Sequence, residues 1–103
     1  MEVTMVKIKS FDLGGHKIKV KYLKAIIFNG REMFGLANPK TNEIQIALTM
    51  GGQKIDESVI EHTICHELTH MILMLMYEFD LNDNEKFVDN FGLFLHQFLK
   101  TKK

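Results

Sequence analysis

Two histidines and a glutamate in the stretch His66-Glu67-Leu68-Thr69-His70 have the types and spacing for metal chemistry. The pattern H-E-x-x-H lies inside an apolar-periodic run from about residue 56 to residue 79. In an α-helix, residues four apart lie one turn apart on the same face, so His66 and His70 can bind one metal ion together. Glu67 would lie at the edge of that face as a general base. The spacing therefore predicts a catalytic metal site on a helix.

A third ligand is needed, because a catalytic zinc has three protein ligands and one open position. Glu85 is the best candidate among the downstream acidic residues and lies fifteen residues after His70. Glu78 would lie about 12 Å beyond His70 if the helix continues. The seven steps from there to Glu85 can span about 23 Å, so the chain can return to the metal.

Asp89 follows Glu85 by four residues and therefore shares its face on a second helix. If that helix runs antiparallel to the first, Glu85 at the level of His70 places Asp89 near the level of His66. A ligating histidine usually gives its other ring N–H to a carboxylate, so Asp89 is predicted to support His66. The alternative is that Glu85 is a favourable first-turn acid in a capping box with Asn82.

Three further residues, Tyr77, His62 and His96, have side chains that could take part in such chemistry. Tyr77 shares the predicted face of His66 and His70 about 10 Å further along the helix. The favoured interpretation is a packed tyrosine, with a donor to a developing oxyanion as the alternative. His62 lies one turn before the motif and is predicted to be a surface histidine, with a position beside the site as the alternative. His96 is predicted to be structural, and would be a ligand only in a different fold.

The first fifty residues predict strands. Apolar and basic residues alternate around Val6 and Ile8 and again from residue 17 to residue 22, with the turn signal Gly14-Gly15 between the two runs. Residues 25–28 extend the second strand or form a helical turn. Residues 34–37 and 43–48 read as two more strands, the latter an edge that could pair with an extended substrate. These runs predict a small antiparallel or mixed sheet of three to four strands.

The second half predicts two helices. An active-site helix over residues 55–79, with Asp56 as N-cap, would bury a stripe at three- and four-residue steps: Ile60, Ile64, Leu68, Met71 and Leu75. A C-terminal helix over residues 84–100 has its own apolar stripe, formed by Phe87, Phe91, Phe94, Leu95 and Phe98. Strands followed by helices predict a single α+β domain over residues 1–103.

Composition and charge limit the classes of function that we expect for this chain. Residues 1–40 carry eight Lys or Arg against three Asp or Glu, residues 41–99 carry two against ten, and three lysines follow, which gives zero net charge. The motif therefore lies in the acidic part, which suits a cation. A single cysteine, Cys65, fits a reducing compartment. No signal peptide or membrane-spanning run is apparent, so we expect a cytoplasmic protein that binds neither membrane nor nucleic acid.

The sequence H-E-L-T-H followed by E-K-F-V-D resembles the gluzincin zinc metallopeptidases, and the short chain resembles the minimal gluzincins (minigluzincins) and small homologues from mobile elements. The resemblance implies a zincin-like domain with one Zn²⁺ ion held by His66, His70 and Glu85. It implies Glu67 as the general base in hydrolysis of a peptide or unfolded protein, and Asp89 as the support of His66. The chain lacks the C-terminal subdomain that completes the cleft of thermolysin, which implies a weak or latent enzyme.

Two other functions are open at this point. A non-enzymatic, zinc-stabilised interaction module of a phage or mobile element would use the same ligands, because a small chain gains folding free energy from a metal. A DNA-associated metalloprotease of the SprT-like kind would need a third histidine as a ligand, and no downstream histidine is well placed for that role.

Overall fold

A computed structural model describes residues 8–103. Eight strands come first: β1 (Ser10–Leu13), β2 (His16–Leu23), β3 (Ile27–Phe28), β4 (Arg31–Glu32), β5 (Gly35–Asn38), β6 (Glu43–Ala47), β7 (Thr49–Met50) and β8 (Gln53–Lys54). Three helices follow: α1 (Glu57–Leu75), α2 (Phe79–Asn82) and α3 (Glu85–Thr101). The predicted α+β class, with a sheet before the helices, is confirmed.

The main sheet has four strands in the order β1-β2-β6-β5. β2 and β6 run parallel, and the two outer pairs are antiparallel, so the sheet is mixed as predicted. Two short hairpins, β3–β4 and β7–β8, lie outside it. Residues 25–28 therefore neither extend β2 nor form a helical turn. Instead, Ile27 and Phe28 form β3, which pairs with β4 across the Asn29-Gly30 turn.

Period-two alternation explains β2. Ile18 and Val20 are buried in the core while Lys17, Lys19 and Lys21, which alternate with them, are exposed, as the sequence predicts. Gly14 and Gly15 both have positive φ and close the hairpin between β1 and β2. The earlier run around Val6 lies outside the described residues, and regular pairing in β1 begins at Ser10.

The prediction that residues 43–48 form a sheet edge is wrong. β6 is an interior strand, paired with β2 on one side and β5 on the other. Its Ile44, Ile46 and Ala47 are fully buried, which suits a central strand. Among residues 8–103, the edge strand on that side of the sheet is β5.

α1 lies between the sheet and α3, which buries it on two sides. Ile60, Ile64 and Met71 join the core cluster against the sheet. Four polar side chains on other faces of the helix are also buried: Glu61, Thr63, Glu67 and Thr69. Cys65 is fully buried and free, and burial followed by the Glu61 charge raises the pKa of its thiol to about 11.

α1 ends at Leu75, four residues before the predicted end at residue 79. The reason is local: Tyr77 has φ +60, the left-handed region, so the chain turns and the next residues form α2. Asn82 therefore lies in a short helix, in the segment that separates the two helices predicted from the sequence.

α3 packs against α1 through the face that carries Val88 and Gly92. A Cβ on Gly92 would lie 3.1 Å from both the N and the Cα of His66, so the glycine permits a close backbone approach. The predicted phenylalanine stripe of this helix is not its buried face. Phe94 and Phe98 are 67% and 61% exposed.

Glu61 links α1 to the far end of α3. Its carboxylate is 1% exposed and lies 3.0 Å from His96 Nε2 and 3.1 Å from Lys100 Nζ. Burial alone would raise the pKa of Glu61, but the hydrogen bonds and charges of His96 and Lys100 outweigh it and hold the pKa below its ordinary value. His96 thus has the structural position that the sequence suggested.

None of the helices formed by residues 8–103 combines the length and the apolar character needed to span a bilayer.

The α1–α3 contact can be tested with Gly92→Leu. Leucine is a good helix former, so a loss of stability reports the lost close packing and not helix propensity. We expect the free energy of unfolding, measured by urea denaturation, to fall by about 3 kcal/mol. Lys86→Leu, at an exposed position of the same helix, is the matched control and should change stability by less than about 0.5 kcal/mol. Equal stabilities of the two variants would contradict the close contact.

Candidate metal centre

Three side chains of α1 form the first part of the candidate site. His66 and His70 lie one turn apart, with ring centroids 4.9 Å apart and planes inclined by 68°. Both side chains are largely buried, at 20% and 16% exposure. Glu67, between them in sequence, is 7% exposed. The helix thus presents two imidazoles and one buried carboxyl group on neighbouring faces.

Glu85, the first residue of α3, meets both imidazoles. Its Oε2 lies 3.6 Å from His66 Nε2, and its Oε1 lies 3.4 Å from His70 Nε2. One donor atom from each of the three residues lies within 4.8 Å of the others, the spacing of a group that could hold a metal ion. The antiparallel packing of α3 on α1 brings them together, as the sequence argument required.

The outer nitrogens of the two imidazoles have their own partners. His66 Nδ1 lies 3.3 Å from Asp89 Oδ1, and His70 Nδ1 lies 2.6 Å from Asn82 Oδ1. Both Nε2 atoms are thereby turned toward Glu85. A metal-binding histidine needs this arrangement, because the outer hydrogen bond selects the tautomer whose other nitrogen has a free lone pair.

The distances between Glu85 and the imidazoles, 3.4 and 3.6 Å, are long for hydrogen bonds. They join different oxygens of the carboxylate to the two histidines, which leaves space between the three side chains for an ion. Two imidazole nitrogens and one carboxylate are also a donor set that zinc accepts in catalytic sites.

Asn82 was not predicted from the sequence as the partner of His70. It entered only as a capping candidate for α3, but the cap is Asn84, whose Oδ1 accepts a hydrogen bond from Phe87 N at 3.0 Å. The capping box of Asn82 and Glu85 therefore does not form. The only signal for Asn82 in the sequence was its position one turn before Glu85. Because the chain turns back at Tyr77, that position brings Asn82 to His70.

Burial dominates the electrostatics of the site. It raises the pKa of Glu67 to about 8, with the nearby Glu85 charge as the second cause. Burial, followed by the neighbouring His70, lowers the pKa of His66, although the carboxylates of Glu85 and Asp89 oppose that shift. The protein environment thus favours a neutral His66, the form that binds metals.

A cavity of about 330 Å³ opens beside Glu67 between α1 and the edge strand β5. Its wall is formed by Met33, Phe34, Gly35, Val59, His62, Thr63, His66, Glu67 and Asp89. Gly35 allows the close approach of strand and helix, because a Cβ there would lie 2.9 Å from the Cγ atom of Glu67 and the Cγ2 atom of Thr63. The cavity joins a free strand edge to the candidate base.

His62 and Tyr77 are placed differently from the sequence interpretation. His62 is not a surface histidine: its Nε2 is buried, lies 3.5 Å from Asp89 Oδ1, and has no hydrogen-bond partner among residues 8–103. Tyr77 lies beyond the end of α1, is 79% exposed and packs edge-on against Phe79. It does not line the cavity, so the shared helical face assumed for it does not exist.

Comparisons with models of protein families, with curated proteins and with solved structures give no match to this chain. The chemistry of the cluster is therefore what bears on function.

The ligand assignment predicts graded losses of zinc affinity. Glu85→Ala removes a donor atom and should weaken zinc binding by more than about 100-fold. Asn82→Ala and Asp89→Ala each free one imidazole and should weaken it by about 10–100-fold. Competition titration with a chromophoric chelator measures all three. Asp83→Ala removes an exposed acidic group between Asn82 and Glu85 and should leave the affinity unchanged; an undiminished affinity in Glu85→Ala would refute the assignment.

Proposed function

We propose that the protein is a zinc-dependent metallopeptidase of the gluzincin type. The observation that carries the proposal is the orientation of the two imidazoles: both Nε2 atoms face Glu85, and both Nδ1 atoms have a protein partner. A buried glutamate lies beside them on the cavity wall. This combination of three donors, their supports and a general base matches the needs of hydrolysis better than those of a purely structural site, which closes all four positions with protein ligands.

A zinc ion bound to His66, His70 and Glu85 would polarise a peptide carbonyl and lower the pKa of a water molecule. Glu67 is the residue positioned to take the proton from that water and to return it to the leaving amine. Its burial supports this role, because a carboxyl group in a dry wall gives up and receives protons near neutral pH more readily than an exposed one. Asp89 and Asn82 keep the two imidazoles in the tautomer that binds the metal.

The edge strand β5 supports an extended peptide as the substrate. Phe34 O accepts a hydrogen bond from Ala47 N, so the alternation of an antiparallel ladder turns the N–H and C=O groups of Gly35 and Ala37 away from β6. These groups are free to pair with one more strand. A peptide bound there would run along the cavity wall past Glu67.

A zinc-stabilised interaction module is the second candidate. It is favoured by the position of Tyr77, which does not reach the cavity and so supplies no oxyanion donor. The ion would then serve to join α1 to α3, since its three ligands come from both helices.

Glu67→Gln separates the two functions. The amide cannot accept the proton of the attacking water, so we expect hydrolysis of a peptide library to fall by at least about 10³-fold. Zinc content should stay near one ion per chain, because Glu67 is not a ligand. Glu57→Gln, at an exposed position at the start of the same helix, is the control and should keep full activity. If the zinc-loaded wild type cleaves neither the peptide library nor a denatured protein, the peptidase proposal is wrong and the interaction module is the remaining candidate.

Ala37→Pro tests the proposed substrate edge. Proline removes the outward N–H of β5 without removing a ladder bond to β6. We expect KM for peptide cleavage to rise about tenfold with kcat little changed, because the lost hydrogen bond acts in the ground state and the transition state alike. Asn38→Ala, at the next position along the edge, keeps its backbone N–H and should retain the wild-type KM. An unchanged KM in Ala37→Pro would place the substrate elsewhere.

A further inference from the structure

Four phenylalanines form a row on α3, and three of them are left exposed by the fold of residues 8–103, whereas Phe87 is half-buried. Phe87, Phe91, Phe94 and Phe98, here called the phenylalanine seam, follow one another at steps of four, three and four residues. Phe91, Phe94 and Phe98 are 48%, 67% and 61% exposed. This is the spacing of the contact positions in paired helices, which repeat every 3.5 residues on average.

The seam continues into a groove at the start of α3. A cavity of about 380 Å³ lies between the end of α1, α2 and the first turns of α3. It is lined by Thr69, Ile72, Leu73, Met76, Glu78, Leu81, Phe87 and Phe91. The surface thus offers projecting aromatic rings along one half and an apolar recess at the other end, which is what a self-complementary contact needs.

The area is sufficient for a specific contact between two chains. A fully buried phenylalanine removes about 150–250 Å² from water, so the seam and the groove together bury roughly 500 Å² on each copy. Two copies would bury about 1,000 Å², the lower limit for a specific interface. An apolar patch of this size is at the upper end of what a monomeric protein exposes.

We propose that the seam pairs with the seam of a second copy of this chain, with the two α3 helices antiparallel. In that arrangement Phe87 lies opposite Phe98, and Phe91 lies opposite Phe94. The outer flank of the seam carries uncharged Asn90 and Gln97, and one cation, Lys86, lies at its start. In the antiparallel arrangement Lys86 lies at the level of Leu99 of the other copy, so the two lysines stay apart.

Charge at the two ends of α3 selects the antiparallel orientation. Asp83 and Glu78 lie before the seam, and Lys102 and Lys103 lie after it, all of them exposed. Antiparallel pairing places Asp83 at the level of Lys102 of the other copy and opposes the two helix dipoles favourably. A parallel pair would bring like charges together at both ends.

The dimer leaves the metal cluster open. Asp89 lies on the other side of α3, where it contacts His62 and His66. The proposal is therefore independent of the proposed peptidase function, and failure of either leaves the other standing.

Sedimentation velocity over a concentration series tests the dimer. We expect the wild type to reach twice its chain mass of 12.0 kDa, with a dissociation constant of about 10 µM. Phe94→Glu places a charge at the centre of the seam and should raise that constant at least about 30-fold. Ile27→Glu is the control. Ile27 is 64% exposed but lies on the β3–β4 hairpin, away from the seam, so this variant should leave the dissociation constant unchanged. Circular dichroism checks that both variants are folded.

Three results of that experiment would overturn the proposal. They are a wild type that stays monomeric at about 200 µM, a Phe94→Glu variant that dimerises like the wild type, and an Ile27→Glu variant that is folded but monomeric. Flotation with phosphatidylcholine vesicles is a further arm. A monomeric chain that binds vesicles through the seam would assign the surface to a membrane and not to a second copy.

Disulfide trapping tests the orientation. Near the proposed two-fold axis, two Phe94→Cys residues lie about 4.5 Å apart along the helix direction, whereas two Phe87→Cys residues lie about 16 Å apart. Only the first pair can form a disulfide in an antiparallel dimer. Cys65 is buried and does not compete. Efficient trapping of Phe87→Cys, or none of Phe94→Cys, would overturn the antiparallel pairing.

Discussion

The contact of Gly92 with the backbone of His66 controls how the rest of the site is assembled. A Cβ on Gly92 would lie 3.1 Å from the N and the Cα of His66, so α1 and α3 approach each other closely at this point. Two residues that matter for the candidate metal centre, Glu85 and Asp89, lie within two turns of Gly92 on the same helix. Any increase in the distance between the helices would move both carboxylates away from the imidazoles together.

The same helix pair sets the charge state of two buried carboxyl groups in opposite directions. Glu61 has His96 and Lys100 beside it, and they hold the pKa of its carboxyl group below the ordinary value despite burial. Glu67 is buried without a cationic partner and next to Glu85, so the pKa of its carboxyl group rises to about 8. Glu61 is thus a structural anion that ties α1 to the end of α3, whereas Glu67 is held in an environment that suits proton transfer.

α3 has two distinct faces, because among residues 8–103 only one side of it packs closely on α1. Val88 and Gly92 pack on α1. This orientation of α3 about its own axis turns the phenylalanine seam toward solvent. Had the seam faced α1, its large rings would have kept the helices apart and Glu85 away from the histidines. The exposure of the seam therefore follows from the same close packing that brings Glu85 to the two histidines of the candidate metal centre.

Much of the local structure was determined by the sequence alone. Alternation of Ile18 and Val20 with lysines determines β2, and the glycine pair before it determines the hairpin. The four-residue spacings of His66 with His70, and of Glu85 with Asp89, place each pair on one face of a helix, because helix geometry is local. The chain between the two helices brings the two pairs together, and its length in residues was already sufficient for that return.

What depends on packing between distant segments was decided only by the tertiary structure. The edge role of β5, the support of His70 by Asn82 and the burial of Glu61 all require partners that are separated in sequence. The end of α1 before Tyr77 and the outward rotation of the seam have the same origin: local periodicity reports which residues share a face, but not which face the neighbouring element covers. For α3 that choice is made by Gly92, since close backbone packing over a glycine excludes the larger phenylalanine side chains.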